Sequence, residues 1–139
     1  MRSIPLLILG IVVTLILAAC SSSAAIDPET IGDPDKGQEL FENPTRGRCA
    51  ECHTLDGTDD PKAPSLQGIS EQAGSRVPGL SAVEYLEQSI LEPSAFLAEG
   101  YQDRMKVFRI VVAEDEDYMF AGMITEEEKN NLVAFMHTQ

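Results

Sequence analysis

The alternation of apolar and polar positions divides the chain into one long apolar run, three helical stretches and two short strand-like runs. Ile4 to Ala19 is almost wholly apolar, short for a membrane span but long enough for the core of a secretory signal. Asp33-Pro34 supplies a capping side chain and then a proline at the first helical position. DKGQELFEN follows, with Gly37, Leu40 and Phe41 on one face. Ser81 and Glu84 make a capping box. AVEYLEQSIL then carries an apolar stripe of Val83, Leu86, Ile90 and Leu91 until Pro93 halts it. Thr125 and Glu128 make a second box, and Leu132, Val133, Phe135 and Met136 give the helix after it a buried side. Its early Glu126, Glu127 and Glu128 suit the positive end of the helix dipole. Between the last two helices, VFRIVV and YMFAGMI flank an acidic AEDED, which predicts a small β-hairpin near 106–124.

The first apolar run also speaks to compartment. Arg2 precedes it, and Leu17-Ala18-Ala19-Cys20 ends it in the manner of a bacterial lipobox. Residues 1–19 are therefore expected to be a cleaved lipoprotein signal peptide, with an uncleaved membrane anchor as the alternative. Cleavage would leave Cys20 first, ready for lipid, and several acyl chains anchor stably where one is marginal. Residues 20–32, mostly polar with one proline, then form a short flexible tether reaching roughly 20 Å. Residues 33–139 remain for one small domain, held outside the cytoplasmic membrane.

Charge narrows the partners. The 139 residues hold 23 Asp and Glu against 10 Lys and Arg, a net charge of −13. So acidic a chain does not bind nucleic acid by charge, and its field is expected to steer it toward basic docking surfaces on other proteins.

Candidate chemistry is concentrated in Cys49-Ala50-Glu51-Cys52-His53. Zinc needs four ligands, commonly two separated pairs, and beyond this segment only His137 is on offer. A thioredoxin-like disulfide wants a βαβ context that the pattern lacks. Covalent haem fits better. Cys-x-x-Cys on one turn presents two sulfurs to the two haem vinyl groups, and the next histidine turns its imidazole to the iron. Export with two cysteines left over after Cys20 agrees with that reading.

Taken in order, these features resemble class I cytochrome c. They are Gly37 and Phe41 on an opening helix, the Cys-Ala-Glu-Cys-His segment, Ala63-Pro64-Ser65-Leu66, Tyr85-Leu86, Ser89 to Pro93, Gly100-Tyr101, a methionine, and a last helix entered by Thr125. The match is closest from 85 to 101, where it looks like the haem domains of bacterial respiratory complexes, among them the single-haem subunit of alternative complex III. The resemblance implies an all-α cytochrome c fold, with three main helices around one covalently attached haem c. It implies thioethers at Cys49 and Cys52, His53 as proximal iron ligand, and Pro64 as acceptor of the histidine ring N–H. Leu66 would pack on the haem, Tyr101 would reach a propionate, and Gly37 with Phe41 would cross the last helix near Phe135.

The family's Met-Pro after the Gly-Tyr pair is missing here. Met105 falls where the alignment through Gly100-Tyr101 puts the sixth ligand; Met119 is the alternative and Met123 a weaker third. The resemblance implies a single-haem electron carrier rather than an enzyme. It would exchange electrons with respiratory or photosynthetic partners, as a tethered shuttle or as a resident subunit of a membrane complex. A five-coordinate haem peroxidase or gas sensor is the competing reading.

Overall fold

The computed structural model describes residues 26–112 and 122–139. The signal segment, Cys20 and Met119 lie outside them, as does the middle of the expected hairpin. Four α-helices form: α1 Pro34–Glu42, α2 Ile69–Arg76, α3 Ala82–Leu91 and α4 Glu126–Met136. None of the described helices is long and apolar enough to cross a membrane.

Three of these helices begin where their caps predict. The Asp33 carboxylate accepts from the backbone N–H groups of Asp35 and Lys36, and reciprocal capping boxes open α3 at Ser81 and α4 at Thr125. Helix α2 is the one the hydrophobic pattern misses. Its N-cap is Gly68 in the left-handed region with no capping side chain, and it buries only Ile69 and Ala73. It carries too short a stripe to stand out.

α1 crosses α4 closely. Gly37 lies against the backbone of Asn131, where an added Cβ would come within 2.6 Å of the carbonyl carbon and 2.7 Å of the Phe135 Cβ. One step along the crossing, the Phe41 and Phe135 rings meet at 5.4 Å, tilted by 56°. Asn131, buried in α4, accepts from the Asp33 N–H at 2.8 Å, so a buried amide fixes where α1 starts. Leu86, Ile90, Leu132 and Val133 complete the core, while Val83 and Leu91 are half-buried and Tyr85 is buried instead. Lys129 on α4 reaches Glu87 on α3 at 2.9 Å.

The expected hairpin needs correction. Arg109–Ile110 (β1) and Met123–Ile124 (β2) do pair, but parallel, with Arg109 opposite Met123 and Ile110 opposite Ile124. A two-residue turn joins antiparallel strands only, so this pairing is not that of a hairpin. Apolar content indicated strands but not their sense. Phe108 is the buried anchor of this segment, and its N–H reaches the Ile90 carbonyl at 3.4 Å.

Candidate functional site

The Cys49–Glu51 segment forms one tight 3₁₀ turn, entered through Arg48 at φ 55°. The Cys52 and His53 N–H groups both bond back to the Cys49 carbonyl, at 3.1 and 2.9 Å. Both cysteines are half-buried free thiols. Burial pushes the Cys49 thiol up to about 11. Among the described residues, no group of three or more His, Cys, Asp or Glu side chains gathers to hold a metal ion.

His53 is held by one informative bond. Its Nδ1 lies 2.9 Å from the Pro64 carbonyl oxygen. A carbonyl can only accept, so Nδ1 carries the proton and Nε2 is left as a lone pair. Burial lowers the imidazole pKa, against the Pro64 bond, which raises it. A neutral ring with a fixed tautomer and a bare Nε2 is the form that binds iron.

Pro64 is in turn positioned by its own loop. The Leu66 N–H bonds the Thr54 carbonyl at 2.9 Å, and the Ser65 hydroxyl bonds the same carbonyl at 3.2 Å. The Ser65 N–H donates to Asp59 Oδ1 at 2.9 Å.

Above the histidine lies an apolar cavity of about 1060 Å³, counting its open mouth. Cys49, His53, Pro64, Leu66, Tyr101 and Met105 all line it, with Phe41, Ile90 and Phe108 in its walls. A second cavity of about 960 Å³ shares Cys49, His53, Met105 and Phe108 with the first, and also takes in Cys52. The two form one continuous slot, with a histidine from the proximal loop and a methionine from the 97–106 segment on its lining. The walls, the free thiol pair and the bare Nε2 fit a flat, largely apolar macrocycle held through two sulfurs.

The methionines separate clearly. Met105 is 38% exposed and lines both cavities. Met136 lines only the first and is fixed in α4 as a core side chain. Met123 lines neither; it sits on β2, where its carbonyl accepts from Arg46 Nη2 at 3.4 Å. Tyr101 is at the slot, and burial and the nearby Asp59 charge raise its pKa.

One feature is absent from any sequence motif: the sign of the rim. Arg46, Arg48, Lys62, Arg104 and Lys106 line the second cavity beside a single acid, Glu51. That is half of the 10 basic residues in a chain of net charge −13. Arg46 pairs with Glu128 and Arg48 with Glu51, each at 2.7 Å, while Lys62, Arg104 and Lys106 are in no salt bridge among the described residues. Cations from positions 46 to 106 meet only in three dimensions, so a residue count could not find them.

A family model described as cytochrome c matches residues 34–139. Cytochrome c of Stellaria longipes is 26% identical over 106 residues, covering 76% of this chain and 91% of that protein. Cytochrome c of Cochliobolus lunatus is 27% identical over 109 residues, covering 78% and 94%. Cytochrome c of Arabidopsis thaliana is likewise 27% identical over 109 residues, covering 78% and 90%.

Proposed function

Because the chain belongs to the cytochrome c family and so carries covalently attached haem c, we propose that it is a single-haem electron carrier tethered by lipid outside the cytoplasmic membrane. The observation that carries the reading is the shared slot, which sets His53 and Met105 on the lining of one cavity. The bound group supplies a one-electron ferric/ferrous couple, and two protein ligands leave no coordination position for oxygen or peroxide. Cys49 and Cys52 hold the group covalently. His53 supplies a bare Nε2 whose direction is set by Pro64, and the apolar walls exclude water.

The tether rests on sequence. Leu17-Ala18-Ala19-Cys20 is the lipid signal, and a short polar stretch links it to the domain. Expressed in a bacterial host, Cys20→Ser should stay unprocessed and take no lipid label. Normal maturation and membrane binding of that variant would sink the lipobox reading. The domain then works near the bilayer, as a tethered shuttle or as a subunit of a membrane electron-transfer complex such as alternative complex III.

Net charge alone points to a basic partner, but electrons leave through a particular face. Within a Debye length of about 8 Å at physiological salt, a partner at the mouth feels the rim rather than the whole chain. The docking surface for this slot is therefore acidic. Small redox ions test the sign. If the rim governs transfer, oxidation by hexacyanoferrate(III) slows as salt is added, and oxidation by the cationic tris(phenanthroline)cobalt(III) quickens. Lys106→Glu with Arg104→Glu should weaken or reverse both trends. The opposite dependence in the unmodified holoprotein would return the partner to the basic class.

A further inference from the structure

The Pro64–Ser65 peptide group is bonded at both ends. Its carbonyl oxygen accepts from His53 Nδ1 at 2.9 Å, and its N–H donates to Asp59 Oδ1 at 2.9 Å. A carboxylate is thus joined to the imidazole through one planar, polarisable amide. Negative charge on Asp59 pulls the amide N–H and pushes electron density onto the carbonyl oxygen, which then draws harder on the histidine proton.

We infer that Asp59 is a positioning residue that sets the donor strength of His53 through the Pro64–Ser65 peptide group. The inference rests on His53 being the proximal ligand. A more imidazolate-like histidine favours ferric iron and lowers the potential; a less polarised one raises it.

Two substitutions at Asp59 separate the charge from the bond. Asp59→Asn keeps an oxygen to accept from Ser65 N–H but removes the charge, so the midpoint potential of the holoprotein should rise. Asp59→Ala removes both and should raise it at least as far. Asp60→Asn should leave it unchanged, because that neighbouring carboxylate accepts from the Lys62 N–H and not from Ser65.

Loosening of the loop would leave Asp59→Asn, which keeps the bond, at the original potential and move Asp59→Ala alone. Simple through-space action of carboxylate charge would move Asp60→Asn as well, and the shifts would fade in 1 M salt, where the screening length is about 3 Å. Either outcome overturns the relay, as does an unchanged potential in Asp59→Asn. A His53→Ala control whose spectrum and potential match the unmodified holoprotein would instead overturn the ligand assignment beneath it.

Discussion

Gly37→Val should unfold the domain at temperatures where the unmodified protein is stable, while Gly74→Ala should leave it as stable or slightly more so. Both residues lie in helices, so propensity alone favours alanine at either position by up to about 1 kcal/mol. Their surroundings differ. At Gly74 a Cβ would sit 3.6 Å from the Ala82 nitrogen, an ordinary contact. At Gly37 it would meet the Asn131 backbone of α4, which cannot turn aside as a side chain would.

The helices must then separate, pulling apart the Phe41–Phe135 contact and the Asp33–Asn131 bond. Overpacking of this kind costs about 3 kcal/mol for alanine and more for valine. In a domain of this size that lowers Tm on the order of 10 °C. Thermal unfolding of the holoprotein followed by circular dichroism reads both variants. A Gly37→Val protein as stable as the original would mean that α1 and α4 do not cross in contact at this residue.

That crossing was readable in the sequence because its parts are local. A capped helix with Gly37, Leu40 and Phe41 on one face, and a capped helix with Leu132, Val133 and Phe135, each announce a buried side. The same holds for the haem attachment segment, whose chemistry fits in one turn, and for Pro64, which the family pattern placed opposite His53. What escaped was set by tertiary contact. Helix α2 has neither a capping side chain nor a full stripe. The sense of the β1–β2 pairing is fixed by what lies between and beneath the strands, not by their composition. The rim of Arg46, Arg48, Lys62, Arg104 and Lys106 comes from three separate stretches of chain.

Met105→Ala should remove the weak red absorption band that a thioether sulfur gives when bound to ferric haem, and should open the iron to cyanide and carbon monoxide. Of the methionines in the described segments, Met105 lines both halves of the slot from the segment that follows Tyr101. Being 38% exposed, it is not needed as a core filler. A soft sulfur favours ferrous iron, so its loss lowers the potential by a sizeable part of the roughly 0.8 V that axial ligands span. The potential, the band and ligand binding should therefore change together.

Met123→Ala gives the contrast. That side chain lies on β2, half-buried and away from the slot, so its loss should cost at most about 2 kcal/mol of packing and leave the band intact. Met119, outside the described residues, is the remaining test. If Met119→Ala removes the band and Met105→Ala does not, the ligand lies after β1, and the 106–112 segment is an insertion before it. If the band survives every methionine substitution, or is missing from the start, the iron has an open side. The gas-binding or peroxidase reading would then replace the electron carrier, since a vacant position on haem is what that chemistry requires.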